Sequence, residues 1–210
     1  MLFKFVVARR ALVLAMLAGI SVPSWAADVI PPDALIRQIS TDVMETVKSD
    51  KAIQGGDVKK IIAIVDSKVM PHVDFQRMTA TATGHFWRQA TPQQQARLQD
   101  EFKTLLVRTY AGAMSEIKDQ TIGVKRMRTN PDDTEVVVRT EVRGRGDPIQ
   151  LDYRMEKLAN GWQIYDVNVL GIWLADQYRN SFAQEIGANG IDGLIKALAD
   201  RNKKATNGGK

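Results

Sequence analysis

Apolar and polar residues alternate from position 149 to position 156, which is the pattern of a β-strand with one buried face. The apolar positions are Ile149, Leu151, Tyr153 and Met155. Asn160 and Gly161 follow, and both residue types tolerate the positive φ angles of a tight hairpin turn. The pattern therefore predicts a hairpin whose second strand runs from Trp162 to about Leu170.

This second strand carries apolar residues on both faces. Strict alternation places Trp162 and Ile164 on one face, and Tyr165, Val167 and Val169 on the other. A strand that is apolar on both sides is typical of the centre of a sheet. We therefore expect this strand to be central and covered on both faces.

The spacing of apolar residues changes after Gly171 to the three-to-five-residue spacing of a helix face. The apolar positions of this segment are Trp173, Leu174, Tyr178, Phe182 and Ile186. We expect this aromatic helix face to pack on the sheet, either as ordinary core or as the wall of an apolar cavity.

Helical spacing also dominates the chain before the sheet. The sequence predicts helices from Pro32 to about Asp50, from Asp57 to Pro71, from Asp74 to about Thr83, and from the capping box Thr91-Pro92-Gln93-Gln94 onward. The last of these is expected to be the longest helix. Strand-like alternation follows at 122–126 and 136–142, so the strands form a four-stranded antiparallel meander.

These elements predict one α+β domain: a curved four-stranded antiparallel sheet covered by several helices, similar to the cystatin-like and NTF2-like folds. Folds of this kind often leave a pocket between the concave sheet and its helices. We place the domain at residues 27–202 and expect residues 203–210, which include no large apolar side chain, to form a disordered tail.

The first 26 residues have the composition of a secretory signal peptide. Basic residues precede an apolar run at 11–20, and Ser24-Trp25-Ala26 is a small-x-small cleavage site. Residues 1–26 hold three of the 29 basic residues and none of the 24 acidic ones, so their removal lowers the net charge from +5 to +2. This weak charge argues against nucleic acid as a partner. An exported chain without cysteine must also be held together by a hydrophobic core.

Few residues offer chemistry. His72 and His85 lie in predicted loops, and without cysteine or paired histidines we expect neither a metal site nor a catalytic site. Asp152 alternates away from the apolar face, so we expect it to be solvated. Asp166 shares a face with Trp162 and Ile164, so it must be paired if it is buried; Arg154 and Arg179 are the candidate partners.

Several short motifs, in order, resemble the MlaC family of periplasmic phospholipid-binding proteins, also called toluene-tolerance auxiliary proteins. They are Met70-Pro71-His72-Val73-Asp74-Phe75, Gly84-His85-Phe86-Trp87-Arg88, Thr91-Pro92-Gln93-Gln94, Gly161-Trp162-Gln163-Ile164-Tyr165-Asp166, Tyr178-Arg179-x-x-Phe182 and Gly190-Ile191-Asp192-Gly193-Leu194. The chain departs from many relatives at Leu170-Gly171-Ile172-Trp173, where they carry Glu-Gly-Val-Ser.

The resemblance implies a periplasmic carrier, not an enzyme, that shuttles phospholipid between the outer and inner membranes and maintains the lipid asymmetry of the outer membrane. Bound phospholipid is then cargo, with no cofactor. The partners implied are an outer-membrane lipoprotein–porin complex and an inner-membrane ABC transporter with an MCE-domain ring, and the carrier itself is expected to be a monomer. Candidate docking charges are Arg126, Arg128, Arg139, Arg143 and Arg145.

On this hypothesis the acyl chains occupy an elongated apolar slot. The candidate lipid-binding residues are Phe75, Phe86, Leu105, Tyr110, Val138, Tyr153, Ile164, Val167, Trp173, Leu174, Tyr178 and Phe182. Two alternatives stay open: an NTF2-like enzyme acting on a small apolar substrate with Asp166 as its base, and an interaction module whose apolar residues are all core.

Overall fold

The computed structural model describes residues 29–207, with side chains to residue 204. Within this range the helices are α1 (Pro32–Ser49), α2 (Lys51–Gln54), α3 (Val58–Ile64), α4 (Phe75–Thr83), α5 (Pro92–Ser115) and α6 (Leu174–Asn207). The strands are β1 (Thr121–Val124), β2 (Glu135–Arg143), β3 (Ile149–Leu158), β4 (Gly161–Val169) and β5 (Ile172–Trp173). The predicted signal peptide, residues 1–26, lies outside the described residues.

The strands form one antiparallel sheet in chain order, β1-β2-β3-β4-β5. This confirms the predicted meander and adds a fifth strand of two residues, in which Ile172 lies opposite Val169 and Trp173 opposite Asn168. The free edge of β4 is covered where Val73 bridges to Ile164, and the backbone N–H of Asp74 donates to the Ile164 carbonyl at 2.8 Å. Covering an edge in this way prevents it from pairing with another chain.

The helix starts follow from their capping residues. The side chain of Thr91 accepts a hydrogen bond from the Gln94 N–H, while the Gln94 side chain accepts one from the Thr91 N–H, which completes the predicted capping box of α5. Asp57 caps α3, and the same stretch continues as a π-helical turn at Val65–Val69 and a 3₁₀ turn at Met70–His72. The second predicted helix is therefore three short segments.

The apolar interior divides into separate clusters. One lies among α4, α5 and α6, where the ring of Phe102 contacts those of Phe75, Tyr178 and Phe182, and the last two contact each other, at centroid distances of 5.1–5.7 Å. We call this the aromatic core. A second cluster lies between α1 and the sheet, and a third joins the end of α1 to α2, α3 and α5.

The last helix is long but not continuous. Gly190 has φ 72° and ψ −179° and separates two helical halves of α6. Only glycine adopts this backbone conformation readily, which explains why the chain has glycine there. The second half of α6 continues to Asn207, so the tail that the sequence predicts to be disordered begins inside this helix. Asn202 anchors the second half by donating to the Glu101 carbonyl at 3.0 Å.

Candidate functional site

An apolar cavity of about 210 Å³ lies between α1 and one face of the sheet, which we call the inner face. Its lining residues are Ile36, Ile39, Ser40, Val43, Met44, Val69, Val73, Ile117, Ile122, Val142, Leu151, Tyr153, Ile164 and Val167. Almost all of them are aliphatic. An apolar space of this kind favours the hydrocarbon part of a ligand over water.

The two walls of the cavity follow the two periodicities of the sequence, that of a helix in α1 and that of a strand in the sheet. The α1 wall presents Ile36, Ile39 and Val43, spaced three and four residues apart as on one helix face. The sheet wall comes from every second residue of its strands, because alternate side chains point to the same face. Val142 of β2 and Leu151 of β3 belong to this wall.

A β-bulge in β4 completes the sheet wall. Arg154 lies opposite Asp166, and the next residue of β3, Met155, lies opposite Ile164, so Tyr165 is the extra residue of β4. The bulge brings Ile164 and Val167 to the same face, where both line the cavity. The prediction that these two residues lie on opposite faces was therefore wrong, because strict alternation fails at a bulge.

The polar groups of the cavity are concentrated at Tyr153. Its hydroxyl group has the side chains of Ser40 and Thr140 as hydrogen-bond partners. Burial raises the pKa of Tyr153 to about 12, and these hydrogen bonds oppose the shift. The tyrosine is therefore a neutral hydroxyl group at any physiological pH.

The structure brings three of the twelve predicted lipid-binding residues to the cavity: Tyr153, Ile164 and Val167. The other nine lie outside it. Phe75, Leu105, Leu174, Tyr178 and Phe182 are in the core among the last three helices, and Phe86 and Tyr110 pack against that core. Val138 is fully buried between α1 and the sheet, and the Trp173 ring lies 3.9 Å from the Arg154 guanidinium.

The position of the cavity differs from the expected one because the first helix, rather than the last, covers the inner face. The predicted slot was placed against the aromatic helix that follows the sheet. In the structure the rings of that helix pack against α4 and α5, and the cavity lining includes no described residue of the helix. The sequence predicts the helix from Pro32 to about Asp50 but not its role as a cavity wall, since periodicity shows which residues turn inward and not what they contact.

The carboxylate of Asp166 is fully buried on the outer face of the sheet, away from the cavity. It pairs with Arg154, one of the two candidate partners, at 3.1 Å, and it accepts hydrogen bonds from the N–H groups of Val167 and Ala175 at 2.9 and 3.1 Å. Burial raises the pKa of Asp166, while these donors and Arg154 oppose the rise. Because Ala175 lies in the first turn of α6, this carboxylate fixes the start of the helix.

Asp152 is not solvated, contrary to the prediction. It is 6% exposed, and its carboxylate accepts a hydrogen bond from Gln150 at 2.7 Å. The alternation correctly predicted that Asp152 lies on the outer face. The prediction failed because the outer face is itself covered near β4. Trp173, opposite Asn168, contributes to this cover by packing on Arg154.

The histidines lie away from the cavity. His85 is exposed, with its ring 3.9 Å from that of Phe86, and His72 is half-buried after Pro71. Among the described residues no group of three His, Cys, Asp or Glu side chains could hold a metal ion. In the same part of the chain, no helix has the length and apolar composition to cross a membrane.

Solved and curated proteins resemble this chain over most of its length. A phospholipid-binding protein from Ralstonia solanacearum, solved in complex with a phospholipid, is 45% identical and superimposes with a TM-score of 0.80, covering 83% of this chain and 98% of its own. A toluene tolerance protein of Pseudomonas putida is 26% identical over 184 residues, which are 84% of this chain and 85% of that protein.

The intermembrane phospholipid transport system binding protein MlaC of Haemophilus influenzae is 20% identical over 171 residues, 80% of each chain. The profile of the MlaC protein family matches residues 37–200. That match runs from within α1 through the sheet into the second half of α6, so it includes all the lining residues of the cavity except Ile36. The chain therefore belongs to the MlaC family.

Proposed function

We propose that the protein is a phospholipid-binding carrier of the Mla system and that the cavity under α1 holds acyl chain. The observation that carries this proposal is the aliphatic cavity on the inner face, in a chain 45% identical to a protein solved with a phospholipid. Each CH₂ group removed from water contributes about 0.8 kcal/mol, so a chain of roughly 16 carbons gains on the order of 12 kcal/mol. Burying the acyl chains therefore supplies the affinity, and the headgroup can remain outside.

The volume of the cavity indicates how loading occurs. At about 210 Å³ it is smaller than typical ligand sites, which occupy roughly 300–1,000 Å³. Loading a full acyl chain therefore requires the cavity walls to separate. The α1 wall is the element we expect to move, because it contributes most of the residues that cover the sheet side of the cavity, whereas the sheet wall is held by its ladder of hydrogen bonds.

The alternative of an enzyme with Asp166 as its base gains no support from the geometry. Asp166 faces away from the cavity, and its oxygens are engaged by Arg154 and by two backbone N–H groups. Among the described residues that line the cavity, none carries a carboxylate or an imidazole group. We therefore propose a binding role without a catalytic step and without a cofactor.

Membership of the MlaC family supports a proposal for the location and the partners. We propose that residues 1–26 direct export to the periplasm, where a monomer carries phospholipid between the two membranes and maintains outer-membrane lipid asymmetry. An outer-membrane lipoprotein–porin complex and an inner-membrane ABC transporter with an MCE-domain ring would be its docking partners. The five arginines suggested for docking are all exposed, which is compatible with this role: Arg126, Arg128, Arg139, Arg143 and Arg145.

Native mass spectrometry of the freshly purified protein, followed by lipid extraction and tandem mass spectrometry, tests the proposal. We expect the mass of one bound phospholipid per chain. A ligand-free spectrum that stays unchanged after incubation with phospholipid vesicles would refute the carrier function.

A further inference from the structure

Three large aliphatic side chains are exposed together at one end of the sheet. Ile149 begins β3, Leu170 lies in the turn after β4, and Ile172 lies in β5; their exposed fractions are 44%, 64% and 52%. The strands bring them together, since the Leu170 N–H donates to the Gln150 carbonyl at 3.1 Å. We call these three residues the apolar rim.

The apolar rim continues the wall of the cavity into solvent. Val142 lines the cavity and lies opposite Ile149 in the β2–β3 ladder. Leu151 also lines the cavity and lies opposite Val169, which in turn lies opposite Ile172. Because residues opposite each other in an antiparallel ladder point to the same face, Ile149 and Ile172 extend the inner face beyond the cavity.

Leu170 is held in the rim by an unfavourable backbone conformation. Its φ angle is 52° and that of Gly171 is 90°, so both central residues of the turn between β4 and β5 have positive φ, as in a type I′ turn. Asparagine and glycine are the residues suited to the first of these positions, and leucine is not. The fold gains little from a side chain that is 64% exposed, and such a local cost is often associated with function.

Cationic side chains lie at the end of β2 and on the connection that leads from it into the apolar rim. Arg143 and Arg145 have exposed side-chain fractions of 66% and 93%, and each forms a surface ion pair, with Glu141 and Asp119 respectively. Surface ion pairs of this kind are weak and exchange readily for other partners. Arginines beside an aliphatic surface match the interface of a phospholipid bilayer, where phosphate groups lie next to acyl chains.

We propose that the apolar rim is the surface that contacts a phospholipid bilayer and over which acyl chains pass between the bilayer and the cavity. This inference rests on the proposed function, because it takes the cavity as the place where the acyl chains are held. A bilayer fits better than a rigid partner groove, since the rim is a projecting turn that leads directly from the space holding the lipid.

The test is the initial rate at which the purified protein transfers a fluorescent phospholipid between vesicles of phosphatidylethanolamine and phosphatidylglycerol. The variant is Leu170→Asn with Ile172→Thr, because asparagine suits positive φ and threonine suits a strand, so the fold should be retained. We expect the rate to fall by about tenfold or more, since two aliphatic contacts with the bilayer are lost. The lipid load at equilibrium should be unchanged.

Leu158→Asn is the matched control, because Leu158 is 39% exposed at the opposite end of β3, and its transfer rate should equal that of the wild type. Equal rates for the rim variant and the wild type would overturn the inference while leaving the carrier intact. So would a defect seen only with vesicles that carry membrane proteins, which would identify the rim as a protein-docking surface. A wild-type protein that binds no lipid would instead refute the proposed function.

Discussion

Ile164 and Val167 point to the same face of β4 although an odd number of positions separates them. The extra residue, Tyr165, joins Asp166 on the outer face, where its hydroxyl group lies 3.3 Å from Glu135 and its ring lies 3.6 Å from the Arg77 guanidinium. After the bulge, the side chains of β4 therefore alternate in the opposite phase, which places Val167 beside Ile164 in a continuous aliphatic wall of the cavity.

Deleting Tyr165 should therefore leave a folded protein with Ile164 and Val167 still in the cavity wall. The deletion restores regular alternation and loses the contact with Arg77, a cation–π interaction worth about 0.5–1 kcal/mol. Urea unfolding followed by tryptophan fluorescence should show a cooperative transition of slightly lower stability. Deleting Gln163 is the control: it turns Trp162, now 8% exposed, to the outer face, and the cooperative transition should be lost. Equal behaviour of the two deletions would contradict the bulge assignment.

Filling the cavity should prevent lipid binding without unfolding the protein. Val43→Trp places an indole ring in the space under α1, where Val43 is half-buried and lines the cavity. We expect the lipid-bound fraction in native mass spectra to fall by about tenfold or more, since the acyl chain loses several buried CH₂ groups. Gln38→Trp makes a comparable addition at an exposed position of the same helix and should load normally. A fully loaded Val43→Trp protein would show that the lipid lies elsewhere.

The protein should lose stability at alkaline pH through Tyr153. Burial raises the pKa of this residue from 10.0 to about 12. The folded protein therefore holds the Tyr153 proton more tightly than the unfolded chain does. The stability that the neutral hydroxyl group contributes is complete below pH 10 and is lost as the pH rises from 10 through about 12. Two pKa units correspond to roughly 2–3 kcal/mol.

Tyr153→Phe should flatten this part of the pH dependence, which urea unfolding at a series of pH values measures. At neutral pH the variant should lose only about 1 kcal/mol, the value of the hydrogen bonds that the hydroxyl group makes. An unchanged alkaline slope in the variant would assign the effect to another group.

Asp166 should prove structural rather than catalytic. Asp166→Asn keeps an acceptor for the N–H groups of Val167 and Ala175, and Arg154 keeps Asp176 as a partner at 3.4 Å, so the loss of stability should be limited to about 1–2 kcal/mol. Asp166→Ala leaves both groups without a partner and should cost roughly 2–4 kcal/mol. Both variants should retain their lipid load in native mass spectra. Loss of the load in a stably folded Asp166→Asn protein would contradict this assignment.

The break in α6 depends on one glycine. Gly190→Ala introduces a side chain at φ 72° and should cost about 1–3 kcal/mol. Gly187→Ala, three residues earlier at an open position of the first half, should be neutral or stabilise the protein by up to about 1 kcal/mol. Thermal unfolding compares the two variants, and similar melting temperatures would mean that the break is not required by the fold.

Local signals in the sequence predicted most of the elements. The capping box at Thr91 and the alternation in β3 each depend on a few adjacent residues, and both were confirmed. The bulge at Tyr165 could not be predicted from the strand's own residues, because a bulge is defined by a shift in register against the neighbouring strand. The two-residue strand β5 is likewise defined by its partner rather than by its own pattern.

The site was harder to predict than the fold. Aromatic residues such as Tyr178 and Phe182 were assigned to the lipid because they are large and apolar, yet these rings fill space with one another at 5.4 Å. Smaller residues such as Ile39 and Val43 surround the cavity instead. A sequence indicates which side chains leave water, but whether they close the space or leave it open depends on three-dimensional fit.

The aromatic core and the cavity have different residues, and this separation has a practical use. Phe102, at the centre of the rings, is fully buried and makes no contribution to the cavity wall. The helical half of the molecule therefore acts as a foundation that meets the cavity only through wall residues such as Val73 and Val167. The size and shape of the cavity can then be redesigned through substitutions in α1 and on the inner face of the sheet. A protein engineer who wants to carry a different long apolar molecule through water can begin with those positions and keep the foundation as it is.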